Sequence, residues 1–197
     1  MNLRERLRSG DIDMAAVAAY LDELDPAARL EQIRALERGE QARLFEAASG
    51  FRPIDLDFFV PHDRLPLVEV VHHGKNSLPV FTRFAKVMCR PPAGQGEPET
   101  LWGYNRSGAF LETVVGPGYF VVRRADRAGE VDIDYFAVPP GKPEGWPPIV
   151  GNERRLSRFV YHHTRDRMRG VSRHVSVGRA SRDGRPMDAW FVLCRED

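Results

Sequence analysis

Hydrophobic positions recur every three to four residues over the first fifty residues of the chain, which is the spacing of short amphipathic helices. Residues 14–24 predict one helix that begins after Asp13, a candidate N-cap. Asp25 and Pro26 place a capping side chain before a proline at the first helical position, which predicts the start of a second helix. A third predicted helix ends at Gly50, where a left-handed residue would cap it. Helices this short are unstable alone, so we expect them to pack on each other or on the rest of the chain.

The stretch LDELDPAARLEQIRALERGEQARLFEAA in this region resembles the helical N-terminal domain of the MgtE family of magnesium transporters. That family repeats short leucine-rich helices with an L-D-P phrase between turns, and the resemblance covers residues 12–49. It implies a small right-handed stack of helices that docks a partner or regulates the protein. The alternative is a plain helical cap on the following domain. Transport is not implied, because no transmembrane stretch follows in the sequence.

Beyond residue 66 the hydrophobic period changes from that of a helix to that of a strand. We therefore predict a helical cap or docking segment over 1–50, a proline-rich linker over 51–66 and a sheet domain over 67–197. AWFVLC at 189–194 does not alternate, which predicts a strand covered on both faces. The predicted strands are 67–73, 80–89, 100–104, 109–115, 118–124, 130–138, 172–180 and 187–194.

Residues 153–169 interrupt this series with a pattern that favours a helix. On a helical wheel His163 and Arg167 share the apolar face that meets the sheet, while His162 lies on the outer, basic face. Six strands, a helix and two strands predict an α+β fold. Its mainly antiparallel curved sheet packs on one long helix, with a small all-helical segment at the N-terminus.

Two histidine doublets, at 72–73 and 162–163, raise the question of a metal or catalytic site. Neighbouring residues on a strand or helix point in different directions, so neither doublet is a chelating pair. Each supplies one inward histidine, His72 and His163, which define at most one site. An inward Arg167 beside His163 needs a carboxylate or an anionic ligand. The predicted ligand-binding residues are His72, Tyr104, His163 and Arg167.

Motifs of known chemistry are missing from the sequence. Neither HExxH nor CxxC nor GxSxG occurs, so we predict no catalytic residue, no metal and no cofactor. Cys89 beside Arg90 is either a small core residue or a thiol whose pKa the arginine lowers. Strand 130–138 alternates between apolar residues and three acidic ones, Glu130, Asp132 and Asp134, which typify the wet face of an antiparallel strand.

Composition and charge narrow the class of protein. A 42% hydrophobic and 29% charged chain of 197 residues is globular, with room for one domain of about 150 residues and a small addition. Two cysteines without a signal-peptide pattern predict a cytoplasmic protein. Residues 1–60 hold 8 arginines and 12 acidic residues, a net charge of −4, whereas 152–182 hold 9 and 2, a net charge of +7. We expect these parts to pair with each other rather than with nucleic acid.

The sequence therefore predicts a non-catalytic binding protein. Its sheet domain would hold a small amphipathic or anionic ligand in a mostly apolar cavity with a few convergent polar groups. Its N-terminal helices would dock a protein partner. Two alternatives stay open: an enzyme that uses His72 and His163 in the same pocket, with or without a metal, and a protein-interaction or regulatory adaptor.

Overall fold

In the computed structural model, which describes residues 1–78, 82–106, 116–152 and 162–196, eight antiparallel strands close into a barrel. Each strand pairs with its neighbours in sequence, and β1 closes the barrel on β8. The helices are α1 (Leu3–Arg8), α2 (Met14–Glu23), α3 (Pro26–Arg34), α4 (Arg38–Ala47) and α5 (Leu56–Phe59). The strands are β1 (Val70–Asn76), β2 (Arg83–Cys89), β3 (Leu101–Arg106), β4 (Phe120–Arg124), β5 (Val131–Asp134), β6 (Thr164–Gly170), β7 (Val175–Arg182) and β8 (Arg185–Arg195).

The two ends of the barrel differ. The last residues of β1, β3, β5 and β7 and the first residues of β2, β4, β6 and β8 lie at one end, here called the upper end. Helix α5 closes the lower end. Just before α5, the Ile54 N–H donates to the carbonyl of Gly129 at 2.9 Å, and Arg195 of β8 donates to the carbonyl of Phe58 in α5 at 2.7 Å.

Alternation along each strand sends every second side chain into the barrel. The lower half of the interior is mostly apolar and joins α5 in one core. In β8, Leu193 belongs to this interior core and Val192 to the core outside the barrel. The predicted strand covered on both faces is therefore confirmed. The interior core includes Phe59, Val70, Met88, Leu101, Val122, Val131, Ile133, Met168 and Leu193.

The N-terminal helices pack on the outer face of the barrel. Leu44 and Phe45 of α4 share a core with Val177 of β7 and Val192 of β8. The predicted caps are confirmed, because the side chains at positions 13 and 25 accept the first free N–H groups of α2 and α3. The apolar stripe of these helices is thus used by the barrel, and docking of a protein partner through them stays a prediction.

The predicted α+β fold with one long helix is wrong, since the structure is a closed antiparallel barrel with short helices. Residues 164–169 of the predicted helix 153–169 belong to β6, which pairs with β5 and β7. The arginines of RDRMRG alternate with other residues at period two, which is the spacing of a strand, whereas the helical wheel placed Arg167 apart from Arg165 and Arg169. Combining this segment with residues 153–163 into one helix concealed the alternation. Residues 153–161 of that prediction, and predicted strand 109–115, lie outside the described residues.

The predicted segments map onto the structure in order. Helices α1 to α4 fall within 1–50, the predicted linker 51–66 contains α5, and all eight strands fall within 67–197. Among the residues described, no helix combines the length and the apolar character that crossing a membrane requires.

Candidate functional site in the barrel interior

A polar cluster lies inside the upper half of the barrel, around Lys86 of β2. Lys86 is one of three lysines in a chain with 29 basic residues, and it is only 2% exposed. Its Nζ donates to Asn105 Oδ1 at 3.0 Å and to the Tyr135 hydroxyl, and it lies 3.3 Å from Asp166 Oδ2. Three acceptors match the three N–H bonds of an ammonium group.

Strand register brings these four side chains together from four strands or strand ends. Lys86 and Asn105 are cross-strand partners in β2 and β3, so their side chains share a face of the sheet. Asp166 of β6 is opposite Ile133 of β5, which points into the interior core, and Tyr135 follows Ile133 by two residues. All four side chains therefore point inward.

Aromatic rings surround the Lys86 ammonium. An ammonium over the face of an aromatic ring is attracted by the ring quadrupole, and the attraction is stronger where water is excluded. The distances from Lys86 Nζ to the ring centroids are 5.0 Å for Phe120, 5.0 Å for Tyr135, 5.1 Å for Phe191 and 5.6 Å for Phe84.

Each of the three phenylalanine rings lies against a glycine on the neighbouring strand. Phe120 of β4 is the cross-strand partner of Gly103 in β3, and a Cβ on Gly103 would lie 2.2 Å from the ring. A side chain at position 103 would therefore push the ring toward the barrel axis, where Lys86 lies. The same pairing joins Phe84 to Gly74 and Phe191 to Gly178.

We expect Gly103→Ala to lower the free energy of unfolding by about 1–3 kcal/mol, the usual effect of an added methyl group in a packed core. The matched control is Gly39→Ala in α4, where no atom lies within 4 Å of the added Cβ. That change should stabilise the protein by up to about 1 kcal/mol, because alanine favours a helix. Urea unfolding followed by circular dichroism measures both, and a Gly103→Ala variant as stable as Gly39→Ala would contradict the ring placement.

Burial determines the protonation of the charged pair. Loss of water lowers the pKa of the Lys86 amine, and the charge of Asp166 offsets this only in part. Burial likewise raises the pKa of the Asp166 carboxyl against the opposing charge of Lys86. Both shifts make transfer of a proton from the Lys86 ammonium to the Asp166 carboxylate less costly than in water, and the 3.3 Å contact between the two groups provides the path for it.

His72 and Tyr104, two of the predicted ligand-binding residues, lie on opposite faces of the barrel wall. His72 is fully buried in the interior with Val70, as predicted, and its Nε2 lies 2.8 Å from the carbonyl of Phe59 in the closed lower end. Tyr104 points outward and packs on Trp146, with ring centroids 4.8 Å apart. The contact between His72 and the α5 carbonyl gives this buried histidine a structural role.

His163 and Arg167 do not share an inward helix face, because both lie in or beside strand β6. His163 occupies a turn with φ of 57° at the upper rim, and its Nδ1 contacts Asp183 Oδ1 at 2.8 Å. Arg167 lies on the outer face of β6, where it binds Asp132 at 2.5 Å and Asp126 at 2.7 Å. The structure therefore does not bring the four predicted residues into one pocket, and their role in ligand binding stays a prediction.

The acidic face of β5 is not the wet face that its alternation suggested. Glu130, Asp132 and Asp134 are 4–5% exposed, because arginines of the neighbouring strand cover them. Arg169 binds Glu130 at 2.9 Å and Arg165 binds Asp134 at 3.3 Å. Much of the positive charge of residues 152–182 is therefore neutralised within the barrel wall.

Cysteine and metal chemistry find no support in the described part of the chain. Burial raises the pKa of the Cys89 thiol to about 12, so Arg90 does not activate it. Within residues 1–78, 82–106, 116–152 and 162–196, no three His, Cys, Asp or Glu side chains are grouped to hold a metal ion.

None of the four members of the interior cluster is among the predicted ligand-binding residues. One signal was available, because FAKVMC places a lysine in an otherwise apolar stretch. The chain has only three lysines, and all its other Lys or Arg positions are arginine. A buried lysine is rare unless it is paired. Its partner Asp166 was hidden in a segment assigned to a helix.

The fold and the site together define a closed, eight-stranded up-and-down barrel with a charged pair inside and helices outside. No family model, no curated protein and no solved structure matches the chain. The resemblance of residues 12–49 to the MgtE helical domain therefore stays a prediction.

Proposed function

We propose that the upper half of the barrel interior binds a small amphipathic molecule. The apolar part of this ligand would lie against the rings of Phe84, Phe120 and Phe191, and its polar group would bind at Lys86 and Asp166. The observation that carries the proposal is the convergence of four polar side chains, two of them charged, inside a mostly apolar barrel. Barrels of eight strands are wide enough to hold one small ligand.

The two halves of the interior differ in charge. Among the described residues, the lower half holds apolar side chains and His72 but no ion pair, which shows that this barrel can be packed without one. Replacing a buried ion pair by apolar residues is often neutral or stabilising by about 1–4 kcal/mol. A lysine and an aspartate in the upper half thus contribute little to folding, and we infer that they are kept for what they bind.

Helix α5 closes the lower end of the barrel, so we expect a ligand to approach the cluster from the upper end. Phe84, near the start of β2, is only partly buried and has an edge-to-face contact with Phe191 at 6.0 Å. Its ring lies between the Lys86 ammonium and the rim. Rotation of Phe84 is the movement that we expect to admit a ligand.

The polar group of the ligand is expected to be uncharged. Lys86 and Asp166 already form a neutral pair, so an anionic group would bury a charge without a partner. A carbonyl, amide or hydroxyl group can accept from the Lys86 ammonium in place of the Asn105 side-chain oxygen or the Tyr135 hydroxyl, and it needs no counter-ion. This narrows the predicted amphipathic or anionic ligand to an amphipathic, uncharged one.

The test is calorimetric titration with hexanamide, an uncharged amphipathic probe, and with hexanoate, its anionic counterpart. Wild-type protein should bind hexanamide and bind hexanoate at least about tenfold more weakly, a difference of 1.4 kcal/mol. The double variant Lys86→Met/Asp166→Leu should lose hexanamide binding by a similar factor.

His163→Gln is the matched control, because this residue lies at the rim and not in the interior cluster. It should leave hexanamide binding unchanged. Equal binding of hexanamide by wild type and the double variant, or no binding by wild type, would refute the proposed site. Native mass spectrometry of freshly purified protein is the complementary measurement for a ligand carried through purification.

A further inference from the structure

We infer that the ligand of the barrel is a small apolar aldehyde that Lys86 binds covalently as an imine, an inference that rests on the proposed interior site. The geometry places an amine, a carboxyl group and a phenol within contact of each other in a cage of aromatic rings. Of the carbonyl, amide and hydroxyl groups that an uncharged ligand can present there, the carbonyl is the one with which an amine condenses, and aldehydes react more readily than ketones.

The atoms needed for imine formation are present at the site. A proton first passes from the Lys86 ammonium to the Asp166 carboxylate. The lone pair of the neutral Lys86 nitrogen then attacks the carbonyl carbon, a C–N bond forms, and one of the two remaining nitrogen protons moves to the carbonyl oxygen. Asp166 then protonates that hydroxyl group, the C–O bond breaks, and water leaves as the C=N bond forms. The nitrogen returns its second proton to the Asp166 carboxylate. An amine and an aldehyde thus give an imine and one water, with no oxidant or reductant consumed.

The surroundings favour this reaction over reversal. Lys86 and Asp166 are almost wholly inaccessible to solvent, at 2% and 5% exposure, so little water is available to hydrolyse an imine. An attacking amine must be neutral, and burial lowers the pKa of Lys86 and raises the neutral fraction. The hydroxyl of Tyr135 lies against the same nitrogen and can hold the carbonyl oxygen of the aldehyde.

The experiment is reductive trapping with hexanal and sodium cyanoborohydride on the full-length protein, followed by peptide mass mapping. The chain has three lysines, so Lys75 and Lys142 serve as internal controls. We expect a hexyl group on Lys86 at an aldehyde concentration about tenfold below that needed for the other two, a 1.4 kcal/mol preference. Hexanamide should compete with hexanal at Lys86 and not at Lys75.

Two variants sharpen the result. Phe84→Ala should speed trapping of Lys86 several-fold, because the ring at the rim is removed, and should leave Lys75 unaffected. Asp166→Asn should slow trapping at Lys86, since the proton donor for water loss is gone. These kinetic readouts distinguish an acid that takes part in the reaction from one that only holds the fold.

Lys86 that stays unmodified while Lys75 and Lys142 react would overturn the inference. Where hexanamide still binds in the calorimeter, that outcome removes the covalent step alone and leaves the interior binding site standing. If hexanamide does not bind either, both the interior binding site and imine formation at Lys86 are refuted.

Discussion

Lys86→Met should lower the free energy of unfolding by about 3–5 kcal/mol, because it leaves Asp166 buried without its cation. Asp166 is 5% exposed and lies 3.3 Å from the Lys86 nitrogen. Methionine fills a similar volume, so the loss reports the missing charge rather than a cavity. Urea unfolding at neutral pH, followed by circular dichroism, measures the change.

The double variant Lys86→Met/Asp166→Leu should regain most of that stability, to within about 1 kcal/mol of wild type or above it. With the single variant Asp166→Leu it completes a double-mutant cycle for the pair. Strictly additive losses in the double variant would show that the two charges do not stabilise each other, and would remove the energetic argument for the site.

The pH dependence of Lys86→Met has a definite sign. Burial already raises the pKa of Asp166 above its ordinary value of 3.8, and loss of the Lys86 charge raises it further. Between the unfolded and the folded pKa the folded protein holds more protons than the unfolded chain, so the free energy of unfolding falls as pH rises. The deficit of the variant relative to wild type should therefore be smaller at about pH 4 than at about pH 7.

Leu44→Ala should destabilise the whole protein by about 2–5 kcal/mol, the range for a leucine removed from a close-packed core. Leu44 of α4 is fully buried in the core that the N-terminal helices share with β7 and β8. Because this core joins helices and barrel, we expect one cooperative transition. Circular dichroism and tryptophan fluorescence should report the same midpoint.

Leu65→Ala provides the matched control, since Leu65 is 72% exposed and the same atoms are removed. Its effect should stay within about 0.5 kcal/mol. Two separated transitions in Leu44→Ala would contradict the shared core. They would instead indicate an independent helical module, which is what the resemblance to the MgtE family implies.

The candidate site was harder to predict from the sequence than the secondary structure. His72 was placed correctly on the inward face, because alternation in a strand is a local property. The grouping of His163 and Arg167 failed, because it depended on a helix where the chain forms a strand. A ligand site that is predicted from one helix or strand is wrong when the secondary structure of that segment is predicted wrongly.

Strand β6 shows why its residues also fit the predicted helix 153–169 and why that helix does not form. Its arginines separate from Asp166 and Met168 at period two, but a helical wheel also gathers most of them on one side. The acidic partners of these arginines decide between helix and strand. Glu130, just before β5, and Asp132 and Asp134 of β5 pair with the arginines when β6 lies beside β5 as a strand. These ion pairs exist only in the folded barrel, so the sequence pattern of β6 alone does not show them.

The sequence by itself determined the features that depend on nearest neighbours: the caps at Asp13 and Asp25, most of the strands, and the burial of residues 191–194 on both faces of β8. The tertiary structure alone decided that the sheet closes between β1 and β8, and that Lys86 meets Asp166 across eighty positions of chain. Local patterns record which way a side chain points. Pairing between distant strands, which sets what that side chain meets, is decided by the free energy of the whole barrel.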